Sequence, residues 1–298
     1  MIYHKSVMLS ESIEALMVRP GGVYVDATFG GGGHTAEILK RLHGGRIIAF
    51  DQDPDALENR PSDPRVTMVN SNFRFIKNFL RLHQALPVDG ILADLGLSSH
   101  QIDQPERGFS TRFEGALDMR MDPRKGKTAG NVINEYDEEQ LGLLFYQFGE
   151  IKNARKLASI IVTARKAKQI FTTSELVKLA GDCAPVGKEH KYLARVFQSL
   201  RIEVNQELDA LQEFLKQAAN SLKPQGRLVV ISYHSLEDKL VKNYFRSGNF
   251  DGVIEKDFYG NELTPLKLIS RKAYVPSEEE ISVNSRARSA KMRVAEKK

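Results

Sequence analysis

The chain is predicted to be an α/β protein in which a mostly parallel sheet, with helices on both faces, is interrupted by an inserted all-helical subdomain. Apolar runs rich in β-branched residues occur at Val23 to Ala27, Arg46 to Asp51, Val66 to Val69, Gly90 to Asp94 and Arg227 to Ser232. Such runs suit strands buried on both sides. Helix-like segments alternate with the first four runs. Between the fourth and the fifth lies a stretch from Phe113 to Val204 that holds helical apolar spacing at Asp137 to Phe148, Ile151 to Lys168 and Thr173 to Asp182, and no strand pattern. The expected division is therefore 1–112, an inserted helical subdomain at 113–204, and 205–298 returning to the sheet.

The first strand runs into a glycine turn, Asp26-Ala27-Thr28-Phe29-Gly30-Gly31-Gly32-Gly33-His34, and the second strand ends on Asp51. Glycine lets backbone approach a ligand where a Cβ would intrude. An acid at the end of the second strand, about 20 residues past the turn, is placed to accept hydrogen bonds from a ribose diol. A nucleoside cofactor is implied. A dinucleotide fingerprint starting at Gly30 would need its third glycine at Thr35, which weakens a nicotinamide reading. Asp26, at the end of the first strand and ahead of Gly30 and Gly32, is similar to the acid followed by alternating glycines of enzymes using S-adenosylmethionine, whose cationic amino acid end tolerates a carboxylate that would repel a pyrophosphate.

The helical insertion carries its own punctuation. Thr172-Thr173-Ser174-Glu175 reads as a capping-box start and Cys183-Ala184-Pro185-Val186-Gly187 as a stop. A helix from Gln206 to Leu222 then leads through Lys223-Pro224-Gln225-Gly226 into the last predicted strand. In such a sheet ligands bind at the carboxyl ends of strands, so two polar segments draw interest: Asp94-Leu95-Gly96-Leu97-Ser98-Ser99-His100-Gln101 and Ser232-Tyr233-His234-Ser235-Leu236-Glu237-Asp238.

Composition excludes several classes. With 298 residues, 41% hydrophobic and 27% charged, this is an ordinary globular chain. Its one cysteine, Cys183, rules out a disulfide framework and a cysteine-rich zinc site, and no metal site is expected from seven histidines without ligand spacing. The N-terminus lacks the apolar segment of a signal peptide, and no run approaches membrane-spanning length, so a cytoplasmic location is expected. Gly96-Leu97-Ser98-Ser99-His100 lacks the second glycine of a nucleophile elbow, and Gly126-Lys127-Thr128 has Met121 where a P-loop needs glycine. Net charge is +5. It is unevenly spread: Arg107, Arg112, Arg120, Arg124, Lys125 and Lys127 cluster mid-chain, and Arg286, Arg288, Lys291, Arg293, Lys297 and Lys298 crowd the end. Such clusters suit phosphate backbones as partners, and a solvated surface with a frayed basic tail is the alternative.

Seven blocks in order carry a resemblance: Asp26-x-Thr28-Phe29-Gly30-x-Gly32-Gly33-His34, Asp51-x-Asp53-Pro54, Asp94-Leu95-Gly96-x-Ser98-Ser99-x-Gln101-x-Asp103, Arg107-Gly108-Phe109-Ser110, Leu117-Asp118-Met119-Arg120-Met121-Asp122, Ser232-x-His234-Ser235-Leu236-Glu237-Asp238 and Asn284-x-Arg286-Ala287-Arg288-Ser289. Together they resemble the bacterial family of small-subunit ribosomal RNA methyltransferases H, the MraW family, over essentially the full length. The resemblance implies a class I (Rossmann-like) S-adenosylmethionine-dependent methyltransferase fold and methylation of the exocyclic N4 of a cytidine in the decoding region of 16S ribosomal RNA. It implies cofactor contacts at Gly32, Gly33, His34, Asp51, Phe73, Asp94 and Gln101, and the small ribosomal subunit as partner. It leaves a homodimer open.

Catalysis is less directly marked. Many amino-group methyltransferases carry an Asp/Asn/Ser-Pro-Pro-aromatic motif after the fourth strand, where this chain has Asp94-Leu95-Gly96-Leu97. Asp94, with Ser98 and Ser99, is expected to take that place. His234, with Glu237 or Asp238, is expected to shape the base pocket. Arg107, Arg120, Arg286 and Arg288 are expected to hold RNA phosphates. A C5-cytosine mechanism would need a nucleophilic cysteine, and Cys183 lies far from any strand end. A non-catalytic RNA-binding module on the same fold remains the alternative.

Overall fold

The computed structural model describes residues 6–298. In chain order the elements are α1 (Leu9–Leu16), β1 (Val23–Asp26), α2 (Gly33–Arg41), β2 (Arg46–Asp51), β3 (Val66–Asn70), α3 (Ile76–Leu82), β4 (Val88–Asp94), α4 (Ser99–Asp103), α5 (Ala129–Glu135), α6 (Glu138–Gly149), α7 (Ala154–Ala167), α8 (Thr173–Gly181), α9 (Glu189–Asn205), α10 (Glu207–Ser221), β5 (Leu222–Ser232), α11 (Ser235–Ser247), β6 (Leu266–Leu268), α12 (Glu278–Val283) and β7 (Lys291–Lys297). They form two compact units, one taking in the chain up to Gly96 together with Leu208–Lys298, the other Leu97–Glu207.

The first unit is built on a sheet of order β3-β2-β1-β4-β5-β7-β6. β1 pairs in parallel with β2 and β4, β2 with β3, and β4 with β5, while β7 runs antiparallel to both neighbours. Alternate residues of each strand face opposite cores, as the twofold period of a strand requires. Ile48 and Phe50 join Ile91, Ala93, Leu228 and Val230 beneath α3, α10 and α11. Ile47 and Ala49 join Leu92, Val229 and Ile231 beneath α1 and α2. The helices thus cover both faces, as expected. Parallel pairing also brings the carboxyl ends of β1, β2, β4 and β5 to one edge of the sheet, where Asp26, Asp51, Asp94 and Ser232 emerge.

The C-terminal segment departs from the picture of a frayed basic tail. It is β7, placed between β5 and β6. Met292 and Val294 are buried with the α1–α2 core and Ala295 with the other. Arg293 is buried too, its guanidinium donating to Asp238 at 2.6 and 3.2 Å, and Arg227 pairs with Glu296 at 2.9 Å. Opposite charges across the strand satisfy side chains that would otherwise be buried alone.

The second unit contains no strand of the sheet. Its core gathers Leu141, Phe145, Leu157, Ile161, Leu176, Val196 and Leu200 from α6 to α9 with Phe109, Leu117 and Met119 from the preceding loop. That loop explains why the unit begins at Leu97, ahead of the 113 read from helical spacing. Thr172 and Glu175 form the capping box of α8 as the sequence indicated, and Thr128 with Asn131 and Asp137 with Gln140 form those of α5 and α6. Among the described residues no helix is long and apolar enough to cross a membrane.

Candidate active site

The glycine turn is held by carboxylates. Asp26 is buried, and its side chain accepts from the Thr28 N–H at 3.2 Å and the Thr35 hydroxyl at 2.7 Å. It therefore braces the turn from below. Gly32 caps α2 with φ of +77°, a left-handed backbone that favours glycine. A Cβ on Gly33 would fall 2.1 Å from Ser6 Oγ, so a larger residue there would have to push the Ser6 side chain aside. His34 is buried in the first turn of α2, with Nε2 3.2 Å from the Val7 carbonyl. Burial lowers its pKa below the usual imidazole range, with the Asp94 charge opposing the shift.

Asp51 ends β2, and one oxygen accepts the Gly30 N–H at 2.7 Å while the other accepts the Asp53 N–H at 2.9 Å. A carboxylate has about four acceptor positions. Two remain for a diol. Asp94 ends β4, where its N–H donates to Thr28 Oγ1 at 2.7 Å and its Oδ1 accepts the Tyr233 hydroxyl at 2.7 Å. Desolvation pushes Asp26, Asp51 and Asp94 each up to about 6, and Asp26 adds repulsion to both of the others. Three acids at one strand edge form a site that attracts positive charge. Phe73, half-buried just after β3, packs edge-on against Phe214 with ring centroids 5.0 Å apart.

His234 caps α11. Its Nδ1 accepts the Glu237 N–H at 3.4 Å, and Glu237 Oε2 accepts the N–H groups of Tyr233 and His234 at 2.9 and 3.3 Å. The cap fixes where β5 hands over to α11. Asp238 faces elsewhere, to Arg293 and Lys291, so of the two acids expected beside His234 only Glu237 meets it.

Thus Gly32, Gly33, His34, Asp51, Phe73, Asp94 and His234 lie in the first unit on the carboxyl side of the sheet or in the turns that follow it. Ser98, Ser99, Gln101, Arg107 and Arg120 belong to the second unit. There Ser98 and Gln101 form a capping box that opens α4, with Gln101 Oε1 accepting the Ser98 N–H at 3.1 Å. Arg107 is buried and donates to the carbonyls of Arg120 and Met121, both at 3.1 Å. That binds it into the protein's own frame. Arg120 is paired with Asp118 and Arg124 with Asp122, whereas Arg112 and Lys125 are exposed. Arg286 is half-buried and Arg288 exposed in the turn before β7. Sequence reasoning missed Thr28, Thr35 and Tyr233. Only Thr28 had a signal, its place two residues after Asp26 in the glycine block.

The chain matches the profile of the MraW methylase family over residues 1–298. It belongs to that family. It is 56% identical over 297 residues to the Ribosomal RNA small subunit methyltransferase H of Bacteroides fragilis (strain YCH46), covering 99% of this chain and 98% of that protein. It is 54% identical over 298 residues to the protein of the same name from Flavobacterium johnsoniae, covering 100% and 98%. Among solved structures, a putative rRNA-methylase from Clostridium thermocellum aligns over 100% of both chains with 13% identity and a TM-score of 0.47. As a MraW methylase, the protein is an S-adenosylmethionine-dependent methyltransferase. Its sheet is seven-stranded and mostly parallel with helices on both faces, the α/β architecture expected. The residues of the first unit fit that cofactor. Asp51 keeps acceptor capacity for a diol, and an acidic strand edge suits a ligand whose sulfonium and ammonium groups are both cationic.

Proposed function

We propose that the protein methylates the exocyclic N4 of a cytidine in the decoding region of 16S ribosomal RNA, with the small ribosomal subunit as its substrate in the cytoplasm. The observation that carries this reading is the 54–56% identity, over essentially the whole chain, to proteins named Ribosomal RNA small subunit methyltransferase H.

Gly32, Gly33 and His34 would border the methionine part of the cofactor, Asp51 would hold the ribose hydroxyls, Phe73 would flank the adenine and Asp94 would accept from an amino group. Gln101, in the second unit, is proposed as a further contact. When bound, S-adenosylmethionine supplies an electrophilic methyl group on a sulfonium. The cytosine amino group is a weak nucleophile because its lone pair is delocalised into the ring, so close in-line placement and acceptors for its N–H bonds must supply the rate. Asp94, with Ser98 and Ser99, is assigned that acceptor role, and His234 with Glu237 the shaping of the base pocket.

The Leu97–Glu207 unit is assigned to substrate recognition. A base in folded RNA has to be unstacked and presented, with cations holding its phosphates. Arg120, Arg286 and Arg288 are assigned to those phosphates. Arg107, buried on two carbonyls, contributes by fixing the loop that carries Arg120. The test is methyl transfer from labelled S-adenosylmethionine to unmodified 30S subunits, naked 16S RNA and 50S subunits. Incorporation confined to small-subunit material is expected. Incorporation into 50S subunits alone, or into none despite cofactor binding, would overturn the reading.

A further inference from the structure

Tyr233 directly follows β5 and precedes His234, and it is fixed at three points. Its N–H donates to Glu237 Oε2 at 2.9 Å, within the cap of α11. Its ring lies against the chain at Gly96, where an added Cβ would come within 3.1 Å of Cδ2 and Cε2. Its hydroxyl donates to Asp94 Oδ1 at 2.7 Å. Asp94 is in turn fixed through its backbone by Thr28. We propose that Tyr233 is a positioning residue for the reaction, holding the Asp94 carboxylate ionised and in one rotation so that Oδ2 is left to accept from an amino group.

The inference rests on the assignment of Asp94 as an amino-group acceptor. A carboxylate at a strand end can rotate about its terminal torsion, which is broad and roughly twofold. A hydrogen bond to one oxygen selects one setting and favours the charged form. The groups that face Asp94 are His34, Tyr233, Asp26 and Glu237. Those facing Tyr233 are Asp94, Glu237 and Glu280. Acids predominate, and burial together with them holds the Tyr233 phenol well above its usual range. It therefore stays a donor at any pH where the protein works. Of Asp94's neighbours only His34 and Tyr233 favour the ionised carboxylate, and His34 has its own pKa lowered by burial. The tyrosine hydroxyl is thus the dependable counterweight to two nearby acids.

The test is Tyr233→Phe, which keeps the ring and removes the hydroxyl. Two readouts are needed: the Asp94 carboxyl titration followed by carbon NMR in ligand-free protein, and S-adenosylhomocysteine affinity by calorimetry across about pH 5.5 to 8.5. The Asp94 midpoint should rise by about one pH unit. Cofactor affinity should then fall about threefold more at pH 6.5 than at pH 8, the change in ionised fraction for that shift. An unmoved midpoint, or an affinity loss equal at every pH, would overturn the inference. Asp94→Asn separates this from the underlying assignment. If Asp94→Asn weakens binding while Tyr233→Phe leaves the pH dependence unmoved, the tyrosine's role alone fails. If Asp94→Asn binds as the parent does, the assignment of Asp94 fails with it.

Discussion

Replacing Asp94 by asparagine should make the cofactor-free protein more stable at neutral pH. The carboxyl is pushed up to about 6 from 3.8, chiefly by desolvation. A raised carboxylate pKa means that the folded state holds a proton the unfolded state has released between pH 4 and 6. Stability is therefore lost as pH rises through that window and stays lost above it. The full shift would be worth about 3 kcal/mol, and the partly open position of Asp94 lets solvent screen some of it, leaving about 1–2 kcal/mol. Asparagine keeps an oxygen to accept the Tyr233 hydroxyl, so no donor is orphaned. For a domain of this size the gain corresponds to about 3–6 °C in Tm. Scanning calorimetry of both proteins at pH 8 and pH 5 reads it, with the gain present at pH 8 and shrinking at pH 5. A lower Tm for Asp94→Asn at pH 8, or a pH-independent difference, would show that the buried Asp94 charge does not destabilise the fold.

Asp51→Ala strips the acceptor from the Gly30 and Asp53 N–H groups and from the ribose proposed to bind there, and should weaken adenosylhomocysteine binding about 100-fold by calorimetry; a change under threefold would remove Asp51 from the proposed cofactor site. Arg293→Ala, in the buried strand β7, leaves Asp238 of α11 without its closest cation and should cost about 3 kcal/mol in urea unfolding near neutral pH, whereas a cost below about 0.5 kcal/mol would show that the pair does not stabilise the fold. Methylation should fall steeply with added salt. Alanine at Arg120, Arg286 or Arg288 should raise the RNA concentration needed and reduce the salt slope by about one for each phosphate no longer neutralised. Unchanged RNA affinity in all three variants would sink that assignment.

The parallel core is legible because each buried strand is a compact apolar run: the sequence places β2 from Arg46 to Asp51, and it forms over those residues. The α8 start is legible because Thr172 and Glu175 satisfy each other's backbone groups. β7 is not, because Lys291, Arg293, Glu296 and Lys297 mask the alternation of Met292 and Val294, and the partner that makes a buried Arg293 tolerable, Asp238, lies 55 residues away. The helices α5 and α9 also escape, the second because its buried positions from Tyr192 to Leu200 are interspersed with Arg195 and Gln198. In the site, the acids at strand ends can be read from the sequence since strand termini are where ligands bind. Tyr233 cannot, because its pairing with Asp94 exists only once β4 and β5 are neighbours.

The most direct test of the account is to digest the RNA of small subunits incubated with the protein and methyl-labelled S-adenosylmethionine to nucleosides, and to identify the labelled product. The labelled nucleoside should be N4-methylated cytidine, absent when Asp94→Ala replaces the parent protein. Label on the C5 carbon of cytidine or on another base, or full N4 methylation by Asp94→Ala, would contradict it.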